Sequence, residues 1–203
     1  MSRLAIFIDG GYLDALTREE YATRVDFAAL AEEIRLVIGA KTTDGLDLLR
    51  THYYDCLPYQ SRTPTVEEAA RFAGKRKFFS ALEHIPRFVV REGRLMFRGL
   101  DVNGQPIFQQ KRVDIQLGLD FALLSGKRQI THAAVLAGDS DFLPAFHTAK
   151  EEGILVWLIH GPRYSKKDGN STYALELWTE ADERFELTQD FMNKIARKPK
   201  LFP

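Results

Sequence analysis

The chain has 203 residues, 45% hydrophobic and 28% charged, a composition that suits one globular domain with a real core. Its 28 Lys and Arg balance 28 Asp and Glu, which excludes a long-range basic field as the main means of attracting nucleic acid but leaves room for local basic patches. The single cysteine excludes an intrachain disulfide, and the five histidines form no ligand-spaced zinc pattern.

Leu4-Ala5-Ile6-Phe7-Ile8 is a continuous apolar run, as expected of a strand buried on both faces in a parallel sheet. It is too short for a signal peptide or a membrane span, and the chain is expected to be cytoplasmic. Asp9-Gly10-Gly11 ends the strand with a sharp turn into a helix. Asp26 reads as an N-cap, followed at helical spacing by Phe27, Leu30, Ile34, Val37 and Ile38, with Gly39 at the stop. A second strand is expected over 48–57, with Cys56 buried and inert. Thr65 then caps a long helix reaching about residue 84, with Glu67 and Glu68 in its first turn.

Residues 87–110 change character. Phe88-Val89-Val90 and Leu95-Met96-Phe97 flank Glu92-Gly93-Arg94, which reads as a hairpin, and Asn103-Gly104 marks another tight turn before Ile107-Phe108. The expectation is a small antiparallel insertion beside the main sheet, open as either a homodimer surface or a substrate guide. From Val113 the α/β rhythm returns: a largely buried helix to about 124, a strand over 133–137, a helix over 142–152 that tolerates Pro144 in its first turn, and a strand over 154–159. The expected domain covers 1–192, with a loose basic tail over 193–203.

Two strands end in acid, Ile8-Asp9 and Ala137-Gly138-Asp139-Ser140-Asp141. In an open parallel sheet ligands bind beyond the carboxyl ends of the strands, at the switch point, so Asp9, Asp139 and Asp141 converge if these strands are neighbours there. Asp114, at the start of a helix after Lys111-Arg112, is a third source of carboxylate. Four carboxylates held together need cations between them, and hard oxygen ligands suit Mg²⁺ or Mn²⁺. The chemistry implied is phosphodiester hydrolysis. Taken singly, each acid has a structural role to hand: Asp139 or Ser140 as a cap, Asp9 as a turn residue, Asp114 as a first-turn acid. The joint pattern favours a site. Asp120 lies six residues past Asp114, roughly 240° around a helix, and ranks below the four.

Lys111, Arg112, Lys166 and Lys167 are expected at the mouth of the crevice as contacts for substrate phosphates, with Ser140 between the two acids and Ser171 capping a helix whose N–H groups face a phosphate. Lys75-Arg76-Lys77-Phe78-Phe79 is a further basic-aromatic run, for which a solvated helix face is the better account.

Phe7-Ile8-Asp9-Gly10, Lys111 through Asp120 (KRVDIQLGLD) and Leu136-Ala137-Gly138-Asp139-Ser140-Asp141-Phe142 resemble the three signature blocks of the NYN domain, the LabA-like branch of the PIN-like superfamily. Tyr53-Tyr54-Asp55, Glu152-Gly153-Ile154 and Ala181-Asp182 are lesser echoes, and the resemblance spans about residues 3 to 190. It implies a three-layer α/β/α sandwich with a mainly parallel sheet, a Mg²⁺ or Mn²⁺ site on Asp9, Asp114, Asp139 and Asp141, and RNA cleavage. Two positions depart from the pattern: Tyr12 stands where Asn is usual, and Arg112 where Gly is usual. Loss of the Asn removes a polar group near the metal and implies altered substrate choice or reduced activity. The alternatives are a weakly active PIN-like module for RNA binding or oligomerisation, and a haloacid-dehalogenase-like phosphohydrolase. The second of these wants an acid at the position of Gly11. No Gly-x-x-x-x-Gly-Lys is present, so no nucleotide cofactor is expected.

Overall fold

The N-terminal apolar run forms β1 (Ser2–Asp9), and in the computed structural model, which describes residues 1–198, it is the central strand of the molecule. The chain continues through α1 (Gly10–Glu19), α2 (Phe27–Gly39), β2 (Leu46–Cys56), α3 (Val66–Glu83), β3 (Phe88–Leu100) and β4 (Pro106–Lys111). Then follow α4 (Val113–Gly126), β5 (His132–Leu136), a 3-10 turn over Ser140–Phe142, α5 (Leu143–Glu151), β6 (Leu155–His160), α6 (Leu175–Glu180), β7 (Glu183–Glu186) and α7 (Gln189–Lys194). The sheet order is β4-β3-β2-β1-β5-β6-β7, and every pairing is parallel except β3 with β4.

Period-two alternation in β1 divides the core. Leu4, Ile6 and Ile8 face a cluster with Leu30, Ile34 and Ile38 of α2, Phe79 of α3 and Met192 of α7. Ala5 and Phe7 face the other cluster, with Leu117 and Phe121 of α4, Phe146 of α5 and Leu177 of α6. Both faces of the strand are covered, which is why its sequence is apolar without interruption. This is the expected three-layer α/β/α sandwich. No helix among the described residues is long and apolar enough to cross a membrane.

The caps read from sequence are in place. Asp26 Oδ1 accepts the N–H groups of Ala28 and Ala29 at 3.0 and 3.1 Å, and Thr65 with Glu68 closes a reciprocal capping box on α3.

The region 87–110 is organised differently from the expectation. Glu92-Gly93-Arg94 is no hairpin turn: β3 runs straight through it, pairing parallel with β2 over Phe88–Gly93 and antiparallel with β4 from Arg94 onward. The single reversal lies at Asp101–Gln105, around Asn103-Gly104. Gly93 is there for close approach, since a Cβ would stand 2.7 Å from Cys56 Sγ and 3.0 Å from the Lys111 carbonyl oxygen. The insertion is thus an outward continuation of the main sheet.

Residues 195–197, just past α7, are tied down rather than loose. Ile195 is buried, its carbonyl accepts the Asp26 N–H at 2.8 Å, and the Arg197 N–H donates to the Arg24 carbonyl at 2.7 Å. The remainder of the expected tail, 199–203, lies outside the described residues.

Candidate active site

Sheet order reverses at β1, whose neighbours are β2 on one side and β5 on the other. β1 and β5 pair in register from Leu4↔His132 to Ile8↔Leu136, so their carboxyl ends lie side by side at the switch point. Asp9 follows Ile8, and Asp139 follows β5 after Ala137-Gly138; both line one open crevice with Gly11, Tyr12, Ser140 and Thr172. Ser140 stands beside Asp139 in this lining.

Each of these acids also serves its local fold. Asp9 caps α1, its Oδ1 accepting the N–H groups of Gly11 at 2.9 Å and Tyr12 at 3.2 Å. Asp139 caps the 3-10 turn, its Oδ1 accepting the Asp141 N–H at 3.0 Å. The structural and the chemical readings are compatible, because each cap bond falls on one carboxyl oxygen.

The acids feel one another. Burial pushes the Asp9 carboxyl up to about 6 against the two N–H bonds that lower it, and the charges of Asp114 and Asp55 add to the rise. Burial, then Asp139 and Asp141, raises Asp114. No three His, Cys, Asp or Glu side chains among the described residues converge closely enough to hold a metal directly between them. A hard-oxygen set that is mutually repelled and only partly closed suits a divalent cation bound through one or two carboxylates and its own water.

Tyr12 fills the place the departing Asn would have had. Its ring lies over Gly138, where a Cβ would come within 2.6 Å of Cε2, and its hydroxyl accepts the Gly161 N–H at 3.0 Å. Burial pushes this phenol up to about 12. Tyr12 thus joins the β1 and β6 ends and walls the crevice. Gly138→Ala is expected to lower stability by about 2 kcal/mol, because the added methyl also meets the Thr172 backbone oxygen at 2.7 Å and backbone must move. Denaturant unfolding checks this, and an unchanged midpoint would mean the loop yields freely.

A third acidic strand end, Tyr53-Tyr54-Asp55, reads in the sequence only as a lesser echo of the family and is left out of the expected site. Asp55, one residue before the end of β2, accepts from Tyr53 Oη at 3.1 Å and from Cys56 N–H at 2.7 Å, and binds Lys75 Nζ at 2.5 Å. Lys75 also reaches Asp14 on α1 at 3.3 Å. Burial opposes the Lys75 charge, but Asp55 and Asp14 outweigh it and raise its pKa. The signal was the same strand-end logic, applied to Tyr53-Tyr54-Asp55. Burial pushes the neighbouring Cys56 thiol up to about 11, consistent with an inert role.

The basic candidates divide. Arg112 stands directly before α4 with φ 79°, a left-handed conformation that costs a residue with a Cβ about 1–2 kcal/mol and explains why glycine suits the position. Its side chain lines a groove beside β3, and Lys111 ends β4 next to it. Lys75 and Arg76 are held in ion pairs, Arg76 with Glu92 at 2.8 Å.

Lys166 and Lys167 are not at the crevice mouth. Lys166 Nζ donates to the Glu20 carbonyl at 2.8 Å and Lys167 Nζ pairs with Glu19 at 2.9 Å. Those partners stand at the far end of α1, about 15 Å along the helix from Asp9 at 1.5 Å per residue. Ser171 caps no helix: its hydroxyl donates to the Tyr173 carbonyl at 2.6 Å, and α6 begins at Leu175 without a side-chain cap.

Asp120 faces away from the crevice, as its spacing from Asp114 predicts. It accepts a two-pronged bond from Arg91, Nε at 2.8 Å and Nη2 at 3.1 Å, and a bond from Tyr54 Oη at 3.0 Å.

No curated protein matches the chain. Among solved structures, MurG of Acinetobacter baumannii is similar at 11% identity and a TM-score of 0.42, covering all of this chain and 43% of that one, which is too weak a likeness to carry an argument. The chain spans less than half the length of that protein. A family model, the NYN domain, matches residues 3–174, a span that takes in β1, Asp114 at the head of α4 and the Asp139–Asp141 turn. With most of its length and all three acidic segments inside that match, the chain belongs to the NYN domain family, within the PIN-like nuclease superfamily.

Proposed function

We propose that the protein is a divalent-metal-dependent ribonuclease that hydrolyses RNA phosphodiester bonds at the carboxyl ends of β1 and β5. The observation that carries this reading is the placement of Asp9 and Asp139 in one open crevice at the sheet's switch point, with Asp114 and Asp141 close enough for charge coupling.

A metal among Asp9, Asp139 and Asp141 would be held directly by one or two of these carboxylates and otherwise through its own water, with Asp114 completing the acidic set or orienting the water. A bound Mg²⁺ or Mn²⁺ supplies Lewis acidity at the phosphate and an ionisable water near neutral pH. The protein's own contribution is position. The two cap bonds to Gly11 and Tyr12 fix the Asp9 carboxyl, and the Asp141 N–H fixes that of Asp139. Tyr12 lines the β6 side of the crevice, and Ser140 offers a hydroxyl beside Asp139. Lys111 and Arg112, immediately before Val113 and Asp114, supply positive charge for the RNA backbone.

Two measurements test the reading together. Mn²⁺ is expected to raise thermal stability, since a ligand at a hundredfold its Kd adds about 2.7 kcal/mol to the folded state, several degrees for a domain of this size. RNA cleavage should appear with Mn²⁺ or Mg²⁺ and vanish in EDTA. Metal binding without cleavage of any RNA would point to a module that binds RNA without cutting it. Neither effect would end the metallonuclease reading.

A further inference from the structure

We propose that the groove between the exit of β2, α3 and the β3–β4 extension holds single-stranded RNA. Unpaired bases would stack on Tyr59, Phe97 and Phe108, with phosphates held by Arg71, Arg94 and Arg112. The inference rests on the ribonuclease reading and names the form of RNA it takes.

The three rings make one cluster, with centroids 5.2 Å apart for Tyr59–Phe108, 5.9 Å for Tyr59–Phe97 and 6.0 Å for Phe97–Phe108. Phe97 and Phe108 are directly opposite across the antiparallel pair, so they share a face of the sheet. Rings that merely stabilise a hairpin bury one another. Here Phe97 is 44% exposed and Phe108 39%, leaving π-surface open to a flat partner.

Charge selects the partner. Arg94 and Arg112 line a groove of about 880 Å³ together with Tyr59 and Phe97, and Arg71 lines its continuation beside Phe108. The two carboxylates that also line it are engaged elsewhere, Glu92 by Arg76 and Glu68 in the α3 capping box. Arg71 also feels the charges of Glu67 and Glu68, which leaves Arg94 and Arg112 as the main charges for an external anion, and rings beside guanidinium groups match the bases and phosphates of an unpaired strand. A duplex buries its base faces and offers these rings nothing to stack on.

The groove ends beside the segment that carries Asp114, since Arg112 lines it. Its floor is Gly93, packed so closely on Val113 and Cys56 that a Cβ would stand 2.4 Å from Val113 Cγ2. Val113 opens α4, and Asp114 is the next residue. Arg112 sits at this junction in its left-handed conformation, a strain that persists only where the surroundings impose it.

The test is the binding of a short labelled single-stranded RNA, and of its duplex, by fluorescence anisotropy in EDTA over a range of salt. Wild type is compared with a Phe97→Leu/Phe108→Leu double variant and with Arg112→Gly. Wild type should prefer the single strand, and the double variant should lose about tenfold or more of that affinity, the usual effect of a lost base stack. Arg112→Gly should lower the slope of log affinity on log salt by about 0.7 while raising the unfolding temperature, a combination that misfolding cannot produce. Equal affinity for strand and duplex, or wild-type binding by the double variant, overturns the proposal. If sedimentation shows a wild-type dimer that the double variant abolishes with RNA affinity unchanged, the rings serve a second copy of the chain and the proposal also falls. Metal-dependent RNA cleavage by the wild type separates the cases: where it persists, only the subsite is wrong, and where it is absent the nuclease reading falls too.

Discussion

The Asp139→Asn protein is expected to stay folded and to cleave RNA more slowly by about 10³-fold or more. The two parts of this expectation have separate causes. Asp139 uses Oδ1 to accept the Asp141 N–H at 3.0 Å, and an asparagine carbonyl oxygen can accept the same bond, so the turn into α5 survives. The charge does not survive. Removing one anionic ligand from a site that must gather a divalent cation and a phosphate forfeits several kcal/mol of transition-state stabilisation, at about 1.36 kcal/mol per tenfold in rate. Initial rates on a labelled RNA with saturating Mn²⁺, beside circular dichroism of the same sample, measure both parts. Full activity in a folded variant would remove Asp139 from the chemistry. Asp139→Ala is the useful contrast, because it loses the cap as well and should cost about 1 kcal/mol of stability in addition.

Asp120→Ala, outside the crevice, should lower stability at neutral pH by about 3 kcal/mol. The truncation strands two partners, the Arg91 guanidinium and the buried Tyr54 hydroxyl, each left without its acceptor. His52 Nδ1 lies 3.5 Å from Asp120 Oδ2 and neither His52 ring nitrogen has a hydrogen-bond partner, so the Arg91 fork at 2.8 and 3.1 Å is the stronger contact. Burial opposes the Asp120 charge, yet His52 and Arg91 together outweigh it and hold the carboxyl well below the usual carboxylate range. A carboxyl that is more acidic in the folded state stabilises the fold at pH above its unfolded value, about 4, and loses that contribution as pH falls below it. The gap between wild type and Asp120→Ala should therefore narrow on acidification from pH 7 towards pH 3. Urea unfolding at both pH values reads it. A gap that is under about 1 kcal/mol, or that does not change with pH, would show that the Arg91 fork is a surface pair of little consequence.

These two residues mark the boundary between what was legible in the chain and what was not. The catalytic reading of Asp9 and Asp139 came from local features: an unbroken apolar run can be stable only with both strand faces covered, and an acid at its carboxyl end then stands where an open parallel sheet binds ligands. The caps at Asp26 and Thr65 were legible for the same reason, since they depend on three or four consecutive residues. Asp120 was legible only negatively, as pointing away from Asp114. That it meets Arg91, twenty-nine residues earlier, depends on β3 lying beside β2.

Gly93 shows why local reasoning failed in the insertion. Glycine between two apolar triplets has the composition of a turn, but the same residue is required wherever two elements approach more closely than a Cβ permits, and the approach of Val113 and Cys56 is a fact of tertiary packing. Lys166 and Lys167 failed likewise. Their sequence position after β6 suggested the crevice, while the loop they sit on runs to the far end of α1 and is held there by Glu19 and Glu20. By itself, then, the sequence determined the layers, the strand-end acids and the helix caps, because burial and capping act over a few residues. The tertiary structure alone decided which charges pair, which glycine is a contact rather than a turn, and where the arginines and open rings of the β3–β4 face lie relative to Asp114, because each depends on residues brought together across the fold.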